Sequence, residues 1–168
     1  MNSMTLSNIN LSQQQAILMD TDGTVTDLIR HFTGEEIAVT KLSQDVVSTA
    51  QPEALQLNNP SHLLHRRILL TGSKPYLYAE SYFVIDRMSD FLRKELLESN
   101  VPIGLLWQRE KLETFREILA KYCEKDEALQ DYFKDLKQAL FLSRSYRIYH
   151  GGLPLGLITE KFPASYFC

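Results

Sequence analysis

Hydrophobic and polar residues alternate with a period of two along three stretches of the chain, and each stretch predicts β-strands. Residues 63–84 read LLHRRILLTGSKPYLYAESYFV, and the glycine, serine and proline within residues 71–75 supply a turn between two strands. The C-terminal part repeats this pattern, since SYRIYH is followed by GGLP and then by LGLITEKF. Residues 36–42 predict a further strand. The chain is therefore expected to form antiparallel hairpins.

Other segments have the spacing that is typical of helices. Ser12 can cap a first short helix, and a second covers about residues 27–32 after a turn at residues 20–23. Further helices are predicted at residues 86–100, 110–122 and 125–137. Residues 43–61 are polar and contain two prolines, which predicts a long loop. Helices that are interleaved with antiparallel hairpins favour an α+β fold over a parallel βαβ sheet.

The composition is that of an ordinary globular protein. With 168 residues, 44% of them hydrophobic, we expect one domain over residues 1–168, with residues 1–11 flexible. The net charge of −3 argues against a nucleic-acid partner. No stretch reaches the roughly 20 apolar residues of a membrane span, and no signal peptide is recognised. Cys123 and Cys168 suit a reducing compartment, so a cytoplasmic protein is expected, or a stromal one if the gene lies in a plastid.

Two charged residues fall on the apolar sides of predicted strands. Arg66 shares a face with Ile68 and Leu70, and Glu160 shares one with the apolar residues two positions away on either side. Burying an uncompensated charge is costly, so such groups are usually paired or hold a ligand. The two residues are therefore either a structural ion pair between strands or the centre of a binding site.

Residues 16–27 also imitate another motif. AILMDTDGTVTD resembles the first motif of the haloacid-dehalogenase phosphatases, in which Asp20 would be the nucleophile and Asp22 an acid/base beside Mg²⁺. ILLTGS at residues 68–73 imitates the second motif. However, the chain has no Gly-Asp, Asp-Asp or Glu-Asp pair to complete the magnesium site, and the segment before Asp20 is Gln-rich and helix-like. We favour a helix–helix turn here, with the phosphatase as an alternative.

Four blocks, in this order and spacing, resemble the chorismate pyruvate-lyase family. They are TDGTVTDLIRHF, LLHRRILL with its hairpin, VPIG, and SYRIYHGGLPLGLITEKFP. The resemblance is greatest to the divergent branch of archaea, cyanobacteria, mycobacteria and algal plastids. It implies a six-stranded antiparallel sheet with helical lids over a buried ligand cavity. It also implies that chorismate is cleaved to 4-hydroxybenzoate and pyruvate without a metal or organic cofactor.

The resemblance also assigns roles to individual residues. Arg66 matches the family arginine that grips the aromatic carboxylate, and Glu160 matches the essential glutamate near the hydroxyl end of the product. Val25 and Ile103 match lid positions that close on the ligand, where the best-known bacterial members have methionine and leucine. Arg147, on the last hairpin, could reach the second carboxylate of the substrate, or it could be a plain cross-strand charge.

The expected chemistry suits these residues. Chorismate is a dianion, and an arginine can hold a carboxylate through two parallel hydrogen bonds. A glutamate in apolar surroundings could give a proton to the departing enolpyruvyl oxygen, or it could orient the ring hydroxyl. The expected small-molecule partners are chorismate and 4-hydroxybenzoate, the latter for quinone or phenolic-lipid biosynthesis, and the protein is expected to be a monomer or a weak dimer. The alternative is a binding module without catalysis, since effector domains of certain transcription regulators share this fold.

Overall fold

One antiparallel sheet forms the centre of the protein in a computed structural model that describes residues 4–48, 53–57 and 61–168. The sheet has the strand order β1-β5-β6-β7-β4-β3-β2, and every pairing in it is antiparallel. The strands are β1 (Met4–Thr5), β2 (Ala38–Val47), β3 (Leu63–Thr71), β4 (Pro75–Val84), β5 (Phe115–Lys125), β6 (Leu140–His150) and β7 (Leu153–Pro163). The sheet thus has seven strands rather than the six expected, because the two-residue β1 adds to one edge.

Five α-helices lie within the described residues. They are α1 (Gln13–Asp20), α2 (Val25–Thr33), α3 (Asp90–Glu98), α4 (Ile103–Arg109) and α5 (Glu127–Gln130). The expected start of α1 is confirmed, because the Ser12 hydroxyl accepts a hydrogen bond from the backbone N–H of Gln15 at 3.1 Å. The Gln15 side chain in turn accepts one from the backbone N–H of Ser12 at 3.0 Å. The predicted turn between two helices at residues 20–23 is confirmed, and so are both predicted hairpins.

The segment predicted as the helix 110–122 is instead mostly strand β5, and that prediction was wrong. A bulge lies in β5 between Ile118 and Ala120, so its alternation is interrupted by one extra residue. The interruption puts apolar residues three and four positions apart, which imitates a helical repeat. Phe115 is 65% exposed because β5 lies near the edge of the sheet and has only the short β1 beyond it. Backbone pairing with β6 along its whole length therefore outweighs the local pattern.

Two further segments differ from the prediction. In residues 125–137 only Glu127–Gln130 is helical, and the turns that follow bury Phe133 and Leu136 against the sheet. The loop expected at residues 43–61 is shorter, because β2 continues to Val47 and the 3₁₀ turn Glu53–Leu55 buries Leu55. Residues 49–52 and 58–60 of this expected loop, and residues 1–3 of the segment expected to be flexible, lie outside the described residues.

Four helices cover the same face of the sheet. The pair α1 and α2 packs over one half of this face, with Leu18, Met19 and Ile29 buried. The pair α3 and α4 packs over the other half through Leu96 and Leu106. We call these pairs the first lid and the second lid. No helix of the described residues is long and apolar enough to span a membrane.

Candidate active site

A small, partly open space lies between the two lids and the sheet. Its volume is about 50 Å³, and its apolar walls come from β3, β4 and β7 together with the first residues of α2 and α4. The polar side chains that line it include Arg66, Arg116, Tyr146 and Glu160. One water molecule takes a share of about 30 Å³ in the liquid, so this space holds only a water or two.

Arg66 is a buried cation without a counter-ion among the described residues. It lies on β3 opposite Ser81 of β4, and it is only 2% exposed. Its Nε and Nη2 atoms are buried and have no hydrogen-bond partner. Burial lowers the pKa of Arg66 from its ordinary value to about 10. Burial and the charge of Arg66 also lower the pKa of Lys41. This part of the cavity therefore carries a positive charge that no described residue compensates.

Glu160 is held by a different arginine. Its Oε2 atom accepts a hydrogen bond from Arg144 Nε at 2.7 Å, and its Oε1 atom accepts one from the Tyr146 hydroxyl at 2.8 Å. Burial opposes the charge of Arg144, but the charges of Glu160, Tyr146 and Asp20 and the hydrogen bond to Glu160 together outweigh burial, so the pKa of Arg144 is raised. Burial, and then the charge of Glu160, raise the pKa of Tyr146. Both oxygens of Glu160 therefore act as hydrogen-bond acceptors, and Tyr146 keeps its proton. The structural ion pair with Arg66 is not formed.

The two lid residues expected from the resemblance both line the cavity. Val25 is the first residue of α2 and Ile103 is the first residue of α4, so each lid contributes the start of a helix. The lids are in close contact at Gly104, where an added Cβ atom would lie 2.9 Å from Thr24 Cγ2. A side chain at residue 104 would therefore separate the lids.

We expect Gly104→Ala to lower the free energy of unfolding by about 1 to 3 kcal/mol, because the new methyl group overlaps Thr24. The measurement is urea unfolding of both single variants and of the double variant Gly104→Ala/Thr24→Ala. The double variant should recover most of the lost stability, since alanine at residue 24 removes the overlapping atoms. Losses that simply add would contradict a direct contact between the lids.

The structure does not bring Arg147 to the cavity. Its Nε and Nη2 atoms donate to Glu117 Oε2 at 3.1 and 2.6 Å, and its Nη1 atom donates to the Ala54 carbonyl at 2.9 Å. Glu117 lies directly opposite Arg147 in the register of β5 and β6, on the face away from the lids. Arg147 thus has the contacts of a cross-strand charge.

Sequence reasoning missed three polar residues of the site. Arg144 and Tyr146 alternate with Ile148 on β6, so the period of the hairpin was a signal that could have found them. Arg116 lies in the segment that was predicted as a helix, so the prediction did not show on which face of the sheet its side chain lies. It donates a hydrogen bond to the Gly23 carbonyl, and its guanidinium lies 5.4 Å from the centre of the Tyr146 ring.

The residues of the phosphatase motif have another role in the fold. Asp20 ends α1 and forms an ion pair with Lys121, and Asp22 is exposed in the turn before α2. The phosphatase motif requires a strand before its first aspartate, whereas here that segment is a helix. Within the described ranges, no group of three His, Cys, Asp or Glu side chains is placed to hold a metal ion.

Fold and site together define an α+β domain in which a buried arginine and a buried glutamate lie between one face of the sheet and two pairs of helices. Residues 19–167 match the family described as Chorismate pyruvate-lyase Rv2949c-like, and the chain belongs to this family. A chorismate pyruvate-lyase of Mycobacterium leprae is 32% identical over 164 residues, which is 94% of this chain and 77% of that protein. A putative lyase of Methanocaldococcus jannaschii is 27% identical over 90% of this chain and 79% of that protein.

Solved structures with this fold include effector domains of transcription regulators. The effector domain of PhnF from Mycobacterium smegmatis superposes with a TM-score of 0.66, covering 86% of this chain and 90% of that domain. Only 10% of the residues are identical, so this likeness concerns the fold alone. The family match, rather than the fold, bears on activity.

Proposed function

We propose that this protein is a chorismate pyruvate-lyase that converts chorismate to 4-hydroxybenzoate and pyruvate without a metal or organic cofactor. Family membership supports the reaction, and the observation that carries the proposal is the buried guanidinium of Arg66. An unpaired cation in the interior lowers the stability of the folded protein. The binding of an anionic ligand explains why such a cation is present here. The aromatic product would then serve quinone or phenolic-lipid biosynthesis.

The reaction balances without an oxidant or reductant. The bond breaks between the enolpyruvyl oxygen and its ring carbon, and the neighbouring ring carbon, which bears the hydroxyl, loses a proton. The ring becomes aromatic, which supplies the driving force. The released enolpyruvate takes up a proton and becomes pyruvate. The protein needs to bind the dianion, orient its ring and assist one proton transfer.

Arg66 and Glu160 have separate roles in this proposal. The free Nε and Nη2 atoms of Arg66 are the pair that binds a carboxylate through two parallel hydrogen bonds, and we assign them the ring carboxylate. Because the two oxygens of Glu160 accept hydrogen bonds from Arg144 and Tyr146, Glu160 starts the reaction as an acceptor rather than as a proton donor. Glu160 would orient the ring hydroxyl and take the proton lost from the neighbouring carbon. It can give up a proton only after it has received one.

The lids contribute by excluding water. A space of about 50 Å³ leaves no room for bulk solvent, and electrostatic contacts are stronger in such surroundings. Val25 and Ile103 would close on the two faces of the ring. Since a space of this size does not hold chorismate, opening of the lids precedes binding and product release.

A second candidate function is a small-molecule binding module that lacks catalysis. It is considered because regulator effector domains have the same fold, whereas the family match supports the lyase. Both functions explain a buried anion site, so tight binding of 4-hydroxybenzoate does not separate them. Turnover does.

The test is incubation of the purified protein with chorismate in the presence of EDTA, beside Arg66→Ala. The absorbance of 4-hydroxybenzoate and a coupled assay for pyruvate should show equal amounts of both products from the wild type and a loss in the variant. Saturable binding without products would favour the binding module. Products that appear only when a metal is restored would overturn the cofactor-independent reaction.

A further inference from the structure

The charged groups around the cavity leave two positive charges without a partner. Glu160 is neutralised by Arg144, which lies directly opposite it in the register of β6 and β7. Arg66 has no hydrogen-bond acceptor for its Nε and Nη2 atoms. Arg116 contacts the Gly23 carbonyl and the Tyr146 ring, and forms no ion pair with a carboxylate of the described residues. The cavity therefore matches a ligand with two negative charges.

Arg116 lies where the cavity meets the surface. It lines the cavity, and it also lines an outward groove together with Asp22, Lys111 and the start of α4. Arg66 and Arg116 thus stand at different places, one buried beneath the lids and the other half-exposed at the edge of the first lid. Tyr146 connects Arg116 to the reaction centre, because its ring lies beneath the Arg116 guanidinium while its hydroxyl donates to Glu160.

We propose that Arg116 binds the second carboxylate of the substrate, the one on the enolpyruvyl group. This inference rests on the proposed function. If Arg66 holds the ring carboxylate and Glu160 the ring hydroxyl, the enolpyruvyl ether, on the carbon beside that hydroxyl, lies at the Glu160 end. Arg116 is the unpaired cation at that end. The groove lined by Lys111 is then the route by which pyruvate leaves.

The competing explanation is that Arg116 only holds the first lid closed. The turn between α1 and α2 is also held by Lys121, which pairs with Asp20, and by Arg144, whose Nη1 atom donates to the Thr21 carbonyl at 2.7 Å. A residue that acts only on the lid would affect every buried ligand alike. A residue that binds the second carboxylate would affect chorismate, which has two carboxylates, but not 4-hydroxybenzoate, which has one.

The experiment compares Arg116→Gln with Lys121→Gln, a control on the same strand that removes one positive charge from the same turn outside the cavity. For each variant, KM for chorismate and the inhibition constant of 4-hydroxybenzoate are measured. We expect Arg116→Gln to raise KM by about 10- to 100-fold, the usual loss for a charged hydrogen bond, and to leave the inhibition constant unchanged. In Lys121→Gln the ratio of the two constants should not change.

Three results would overturn the inference. Equal weakening of both ligands by Arg116→Gln would show that Arg116 acts on the lid, and unchanged constants would show no role in binding. A selective loss for chorismate in Lys121→Gln would show that the effect arises from the turn. If Arg116→Gln does not fold, Arg116→Lys keeps the charge and should show a smaller loss that is still confined to chorismate. If the wild type does not turn over chorismate, the proposed function fails, and calorimetric titration of both ligands applies the same comparison to binding alone.

Discussion

Arg66→Met should abolish turnover while it stabilises the folded protein. The fall in the pKa of Arg66 from its ordinary value to about 10 corresponds to roughly 3 kcal/mol, which is the cost of keeping the buried charge. Methionine has a similar length and no charge, and exchanging a buried charge for an apolar residue is often stabilising by about 1 to 4 kcal/mol. We therefore expect Tm to rise by several degrees and kcat/KM to fall by at least about 100-fold.

Thermal unfolding with and without 4-hydroxybenzoate measures this effect. The ligand should raise Tm of the wild type, because its carboxylate pairs with Arg66, and it should leave Tm of Arg66→Met unchanged. Arg66→Lys is the matched control, since it keeps a charge but cannot form two parallel hydrogen bonds. This control should lose activity without gaining stability. A clear loss of stability in Arg66→Met would show that Arg66 has a counter-ion in solution, and the anion-site argument would fail.

Glu160→Gln should lose both activity and stability. The substitution leaves Arg144, which is 2% exposed, as a buried cation without its counter-ion, and breaking such a pair costs about 3 to 5 kcal/mol. That is a large part of the total stability of a typical domain, about 5 to 15 kcal/mol. We also expect kcat to fall by at least about 100-fold, because glutamine cannot take the proton from the ring.

The double variant Glu160→Gln/Arg144→Met separates the two losses. It removes the unpaired charge, so urea unfolding should show most of the stability restored, while turnover should remain absent. Recovery of turnover along with stability would mean that Glu160 only maintains the fold. Undiminished activity of Glu160→Gln alone would remove its role in proton transfer and leave it an orienting group at most.

Local patterns were sufficient to predict the two hairpins, the capped start of α1 and the turn at residues 20–23. They also placed Arg66 and Glu160 on apolar faces, and both are buried on the lidded side of the sheet. These features depend on a period of two or on a cap within one turn, and such short-range geometry is contained in the sequence itself. Four blocks of the sequence were also sufficient to predict the family, and the family match confirms that prediction.

Strand register decided which arginines belong to the site. Because side chains alternate, a shift of one residue between β6 and β7 would exchange Arg144 and Arg147 across the sheet. The observed register puts Arg144 opposite Glu160 and turns Arg147 toward Glu117 on the other face. The period of β6 alone places the two arginines on opposite faces, but only the pairing of the strands shows which partner each arginine meets.

The sequence by itself thus determined the hairpins, the first two helices and the buried positions of one arginine and one glutamate. The tertiary structure alone decided that β5 is a strand, because pairing with β6 outweighs a helix-like spacing produced by its bulge. Only the tertiary structure showed that Arg66 is unpaired, that Glu160 forms an ion pair with Arg144 and that Arg116 lines the cavity. The physical reason is that a charge acquires its partner only through long-range register and packing, which no local period specifies.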